Sequence, residues 1–344
     1  MSDSIPAAVI FTPNWWFRSY GIRFDEPFYL DRDTRMRVDE CMRRIMYSRF
    51  GIGEPEAKPR AIVGSEYVAG GFVIPALLGC KIRFAADAAP WPVPRNMRTD
   101  EIFALRPPDL NSTWPMDQLM RDTDRLESEF GYVCGDFDLD GVLNTALHLR
   151  GECLFTDFFD APAQVHHLFG IVTETQLAVA QYLRARTGTC AVSANRSILG
   201  VDPRLFLHCN CAVQMISPAH YEEFLLPYER ILAANLAPYG IHHCGNNLHL
   251  FARSYASLPL RFVDVGWGSD VARCRRELPG VFLNLRLSPI RMLQESAATI
   301  REDAERLLAA AGETDNVGMC CINMDYGTPD ENVLAMLDVA EGGR

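Results

Sequence analysis

From residue 200 onward, strand-like and helix-like stretches alternate four times, and this alternation constrains the fold more than any other feature of the chain. The expected strands are Leu205–Ala212, Gly240–Cys244, Leu260–Val265, Val281–Leu285 and Val317–Met324. Between and after them, His220–Asn235, Asp270–Glu277, most of Ser288–Ala311 and a last segment through Ala340 carry helical periodicity. Ser217-Pro218 and Thr328-Pro329 place a capping hydroxyl before a proline at a first helical position. A strand followed by a helix, repeated, is the pattern of parallel βα units. At 344 residues the chain has the length of a single TIM-type (β/α)8 barrel, with the chemistry expected at the C-terminal ends of the strands.

The first half is less regular. Residues 1–35 are expected to form an N-terminal arm that packs its aromatics on one barrel domain covering the whole chain, 1–344. Trp15, Trp16, Arg18 and Tyr20 in that arm are candidates for a pocket wall. Helices are expected over Asp31–Arg49, Asp117–Phe130, Val142–Leu149 and Ala161–Ala185, with short strands at Arg60–Val63, Lys81–Phe84 and Tyr132–Leu139. Ala85–Leu110, rich in Pro and Asp, is expected to be a surface loop. The acidic run Asp136, Asp138, Asp140 is expected to cap the helix that follows.

Composition narrows the function classes. A net charge of −11 without a basic stripe argues against nucleic acid as partner. No apolar run reaches the roughly 18 residues a membrane span needs. The start, Met-Ser-Asp-Ser-Ile-Pro, has no basic segment leading an apolar one, so a cytoplasmic location is the expectation. Eleven scattered cysteines in a chain of this size fit reduced thiols and metal ligands better than a disulfide scaffold.

The stretch Gly240-Ile241-His242-His243-Cys244-Gly245-Asn246-Asn247 puts two soft ligand types at a strand end. Side chains two apart share a face, so His242 and Cys244 point one way and His243 the other. Cys209 and Cys211 likewise share a face, opposite His208 and Asn210; which of the two lines the interior is left open by the pattern. The strand from Val317 brings Cys320 and Cys321 to the same rim. His242 and Cys244 with Cys320 or Cys321 would give three zinc ligands and an open fourth position, as catalytic zinc requires. Singly, each of these residues is ordinary core material; their shared strand-end placement is what favours a metal.

Several segments resemble the uroporphyrinogen decarboxylase superfamily, in particular its cobalamin-related methyltransferase branch. They are Ala76-Leu77-Leu78-Gly79 with Pro90-Trp91, Leu149-Arg150-Gly151 with Asp160-Ala161-Pro162, and Met215-Ile216-Ser217-Pro218 with Phe224 and Pro227-Tyr228. His242-His243-Cys244-Gly245 is similar to the branch's zinc motif, and Cys320-Cys321-Ile322 with Thr328-Pro329, Glu331-Asn332 and Ala335-Met336 to its closing motif. The resemblance spans about residues 70 to 340, and the order of the pieces makes it specific. It implies a TIM-type barrel in which the His, the Cys and the distal Cys hold Zn2+. The zinc would activate the thiol of an acceptor, such as coenzyme M, toward a methyl group on a corrinoid (cobalamin) protein. Other members take the methyl from a small methylated donor. The partners expected are thus a small-molecule donor or thiol, a corrinoid protein and, as the commonest soluble oligomer, a second copy in a homodimer.

Three departures qualify this. Asp325-Tyr326-Gly327 lengthens the closing motif; keeping the Cys-x-Ile spacing favours Cys320 over Cys321. Asn210 and Cys211 stand where the family often carries acidic residues, and Asn210 is kept as a substrate-binding candidate. Of the decarboxylase's arginine-rich N-terminal segment only Phe17-Arg18 remains, which argues against a substrate with many carboxylates. No catalytic acid or base is assigned. The alternatives are a metal-free, decarboxylase-like lyase and a non-catalytic module that binds a corrinoid protein.

Overall fold

The computed structural model describes residues 4–189, 201–312 and 315–342. Its strands are β1 (Ala7–Phe11), β2 (Ile62–Gly64), β3 (Lys81–Ala85), β4 (Ala88–Val93), β5 (Cys134–Asp136), β6 (Phe206–Cys209), β7 (Tyr239–His243), β8 (Leu260–Val265), β9 (Phe282–Arg286) and β10 (Val317–Met324). Six of them form a curled parallel sheet in the order β1-β10-β9-β8-β7-β6. The short strands β2 and β5 pair in parallel with each other, and β3 and β4 form an antiparallel hairpin. The expected βα alternation is therefore present from β6 onward, as a TIM-like α/β fold. The continuous ladder holds six strands rather than eight. With three residues each, β2 and β5 are long enough to pair with one another and no further.

Period-two alternation divides the sheet into an outer face against helices and an inner face stacked in layers. The lowest inner layer is apolar: Leu205, Leu207, Phe262 and Phe282 pack together, with the Phe262 and Phe282 rings stacked at 5.4 Å. Gly240 and Gly318 face this plug. A Cβ on Gly240 would lie 2.9 Å from Leu205, and one on Gly318 would lie 2.8 Å from Phe282. One layer higher, ladder register aligns Cys209 with His242, His242 with Asp264, Asp264 with Asn284, and Asn284 with Gly318. The apolar floor thus carries a row of polar side chains at the C-terminal ends of the strands.

Four expectations are corrected. Residues 1–35 do not form an arm: Ala7–Phe11 is an edge strand of the sheet, paired in register with β10 from Ala7↔Met319 to Ile10↔Ile322. Trp15 and Trp16, on the helix Pro13–Tyr20 that follows, pack against Phe11. The surface loop expected over 85–110 contains β4 and a helix, Thr99–Ala104. Pro90 and Pro92 misled the reading, yet an edge strand tolerates a missing N–H. Asp140 does not cap the helix Val142–Arg150; its Oδ1 accepts from Asn144 at 2.8 Å, and Asp138 accepts from the Gly70 N–H at 2.8 Å. Ser217 caps as expected, accepting from the His220 N–H at 3.1 Å, whereas Thr328 donates to the Asp325 carbonyl instead.

Candidate metal centre

The donor atoms of Cys209, Cys211 and His242 lie within 4.8 Å of one another. Cys209 and His242 meet because they are register partners on neighbouring strands. Cys211 follows β6 by one further inner-face step and opens a 3-10 turn, Cys211–Met215; the Cys209 and Cys211 sulfurs stand 3.3 Å apart. Cys244, just past β7, is not one of these three donors but is hydrogen-bonded to two of them, Cys211 and His242. Asn144 links the cluster to the neighbouring helix: its Nδ2 donates to Cys209 Sγ at 3.6 Å while its Oδ1 accepts from the Ala212 N–H at 2.9 Å.

Behind the cluster the row continues. His242 Nδ1 donates to Asp264 Oδ2 at 2.5 Å, and Asn284 Nδ2 donates to Asp264 Oδ1 at 2.7 Å. Holding Nδ1 in this way fixes the ring orientation and leaves Nε2 for Cys244 or a metal, which is how a carboxylate behind a histidine prepares a metal ligand. Burial disfavours the His242 cation, but the bonds to Asp264 and Cys244 outweigh it and lift His242 to about 10. The thiol hydrogen bond from Cys211, against the cost of burial and with help from His242, pulls Cys244 down to about 3. Three thiols and an imidazole are a soft donor set of the kind that binds zinc, and a carboxylate already orients the imidazole, so these residues fit the ion.

A cleft of about 540 Å³ opens onto the cluster at Cys211. Asn14, Asp140, His148 and Asp325 line it, with Trp91 of β4 60% exposed at its edge. His148 Nε2 lies 3.2 Å from Asp140 Oδ2. A larger depression, about 700 Å³, sits beside Tyr20 and Arg49 on the helix Arg32–Phe50 and contains none of the strand-end donors.

The residues singled out from the sequence fall into different places. His242 and Cys244 share one face and join the cluster. His243 points the other way, its Nδ1 2.9 Å from the Tyr255 hydroxyl. Cys320 is on the inner face and accepts from Asn284 Nδ2 at 3.2 Å, so it joins the row but not the group of mutually close donors. Cys321 is on the outer face, its thiol 3.7 Å from the Leu287 carbonyl and pushed up to about 12 by burial. The pocket-wall candidates lie elsewhere. Trp16 is 0% exposed among Phe11, Trp15 and Tyr20. Arg18 covers the Tyr326 ring at 4.1 Å, and the Tyr20 hydroxyl accepts from Arg49 at 2.9 Å. Asn210 turns to the helices, donating to Glu229 at 2.5 Å and to the Tyr255 hydroxyl at 3.3 Å. Thr12, Pro13 and Asn14, just upstream of those aromatics, are the N-terminal residues that do line the cleft.

Cys209, Cys211, Asp264 and Asn284 are members of the site that spacing alone did not assign. The Cys-x-Cys at a strand end was the available signal for the first two. Asp264 and Asn284 carry none until the register is known.

Comparison with known proteins agrees with this architecture. The solved methyltransferase from Methanosarcina mazei superposes with a TM-score of 0.66 at 13% identity, over 98% of this chain and 94% of that one. A B12-independent methionine synthase from Shewanella sp. W3-18-1, solved with selenomethionine, matches at a TM-score of 0.49 and 9% identity, over 99% of this chain and 96% of that one. No curated protein matches the sequence. The family model for uroporphyrinogen decarboxylase (URO-D) matches residues 68–342, which is most of the chain and includes the whole donor cluster. The chain belongs to the uroporphyrinogen decarboxylase family.

Proposed function

We propose that this chain is a zinc-dependent methyltransferase that works with a corrinoid (cobalamin) protein and moves a methyl group to or from a small thiol. The observation that carries the proposal is the convergence of Cys209, Cys211, His242 and Cys244 at the strand ends, with Asp264 behind His242. These four residues would hold the metal. Zinc bound there supplies the positive charge that keeps a thiol as thiolate near neutral pH. A catalytic zinc keeps three protein ligands and one open position, and Cys211 is the donor that lines the cleft, so it is the one a substrate sulfur would displace. Asp264 keeps His242 as the Nδ1–H tautomer, and Asn284 keeps Asp264 in place. The open cleft leaves room above the cluster for a methyl carrier. In transfer to the thiol, the sulfur–carbon bond would form as the carrier–methyl bond breaks, and the carrier would retain the electron pair. In this reading the six-stranded sheet and the β2–β5 pair supply the eight strands of one barrel.

The metal-free lyase is disfavoured by the charge of the cleft. Asp87, Asp140 and Asp325 line it, and among the described residues its lining includes no Lys or Arg. A tetrapyrrole bearing many carboxylates would meet like charge.

The test is the zinc content of protein purified without chelator, beside Cys244→Ala and His242→Ala. About one zinc per chain in the wild type, lost in both variants, is the expected result. A folded wild-type protein without zinc would overturn the proposal.

A further inference from the structure

The helix Val142–Arg150 starts directly against the strand that carries the thiols. The Val142 N–H donates to His208 Nε2 at 3.1 Å, and a Cβ on Gly141 would lie 1.7 Å from the Cys209 carbonyl oxygen. This close approach lets Asn144, in the first turn, reach Cys209 Sγ with its Nδ2 at 3.6 Å. Which end of the amide faces the sulfur is fixed by its other neighbours. The Ala212 N–H can only donate, so the atom it meets at 2.9 Å is the carbonyl Oδ1. A carboxylate accepts, so the atom that meets Asp140 Oδ1 at 2.8 Å is the NH2. One N–H of Asn144 serves Asp140 and the other serves the sulfur. The brace extends one step further: His148, one turn along the same helix face, lies with Nε2 3.2 Å from the second oxygen of Asp140.

The thiols of the cluster are therefore not equivalent. Cys209 is buried and receives an amide N–H that is itself held in place on two sides. Cys211 lines the cleft and is bonded to the thiols of Cys209 and Cys244. The thiolate is the nucleophile, and a sulfur lone pair engaged by an N–H is less available to attack carbon.

We propose that Asn144 is a positioning residue that blunts Cys209 as a nucleophile, so that a reactive methyl group is taken by the substrate sulfur and not by the chain's own thiol. The proposal rests on the thiol-transfer reading, in which a methyl donor enters the cleft beside several cysteine sulfurs. Methylation of Cys209 would turn a thiolate ligand into a neutral thioether and spoil the centre.

The probe is iodomethane added to zinc-loaded protein, with the initial rate of methylation at each cysteine read by peptide mass spectrometry and bound zinc measured beforehand. In each event the sulfur–carbon bond forms as the carbon–iodine bond breaks, and iodide leaves with the electron pair. In the wild type Cys211 is expected to react before Cys209. Burial alone gives that order, so Asn144→Leu, similar in size and without the donor, decides. It is expected to raise methylation of Cys209 relative to Cys211 roughly tenfold, the scale of one hydrogen bond to a charged sulfur, while zinc stays bound and the buried Cys274 stays unmodified. Asn144→Ala serves if the Leu variant does not fold. An unchanged ratio of Cys209 to Cys211 in a folded variant overturns the proposal. So does a wild type in which Cys209 reacts first. A rise shared by Cys274, or a variant that no longer holds zinc, makes Asn144 a packing residue and also overturns it. A wild-type chain that takes up no zinc, yet in which Asn144→Leu unmasks Cys209 alone, would uphold the role of the amide while removing the thiol-transfer reading.

Discussion

Replacing Asp264 by Asn changes one oxygen to an NH2 at a fully buried position and tests the second layer of the site directly. Two donors converge on this carboxylate, His242 Nδ1–H at 2.5 Å and Asn284 Nδ2–H at 2.7 Å. Both need an acceptor, and an amide offers only one. If the new carbonyl serves Asn284, the new NH2 faces His242 Nδ1 and favours the tautomer with its proton on Nε2, which cannot bind a metal. If it serves His242, Asn284 meets an N–H instead. Either way, one hydrogen bond to a charged group is lost, worth about 1.5–3 kcal/mol. At about 1.4 kcal/mol per decade, this predicts a loss of zinc affinity of roughly 10- to 150-fold. Mutated outer-layer partners of metal-bound histidines cost about 10- to 100-fold, in agreement. The assay is competition with a chromophoric zinc chelator on the full chain, with circular dichroism to confirm the fold. A folded Asp264→Asn protein that holds zinc within about twofold of the wild type would refute the reasoning, because His242 would then not depend on its carboxylate.

Other perturbations probe separate links. Cys209→Ser and Cys211→Ser are expected to lower zinc retention while Cys320→Ser leaves it unchanged; the reverse order would put Cys320 in the shell in place of the β6 pair. Tyr255→Phe deletes a hydroxyl bonded to both His243 and Asn210, and a loss of about 1–2 kcal/mol in urea unfolding is expected. Tyr239→Phe, whose buried hydroxyl has no hydrogen-bond partner among the described residues, is the control and should unfold at the wild-type midpoint. Gly141→Ala would bring a Cβ to 1.7 Å from the Cys209 carbonyl oxygen, forcing apart the segment after β5 and the strand that carries the thiols. A destabilisation of about 1–3 kcal/mol is expected, and an unshifted denaturation midpoint would show that this contact relaxes freely.

Parity was legible in the sequence and lateral position was not. Two-residue spacing paired His242 with Cys244 and Cys209 with Cys211 on common faces. It left open which face of β6 looks inward. The helices decide that. Glu229 accepts from Asn210 and Tyr221 and lies 3.2 Å from His208 Nδ1, so the outer face of β6 meets a buried polar network and the thiols take the interior. For Cys320 the face was readable and the neighbours were not. β10 stands three strands from β7, about 14 Å along the sheet at the usual spacing, with Arg286 on the strand between β8 and β10 at the level of Cys320. Cys209, by contrast, is one strand from His242. The first strand was hidden for a different reason. Ala7–Phe11 is short and runs into Pro13-Asn14-Trp15-Trp16, whose aromatics outweighed the five residues that pair with β10.

The β3–β4 hairpin belongs to no part of the six-stranded ladder, yet its tip and second strand, from Asp87 to Pro92, form one wall of the cleft. The donors come from β6 and β7, much later in the chain. What the centre grips and what the entrance admits are thus written in separate stretches of sequence. A change of hairpin would alter the guest list without disturbing the anchor. Two relatives with the same four donors and different hairpins would share a chemistry and differ in diet.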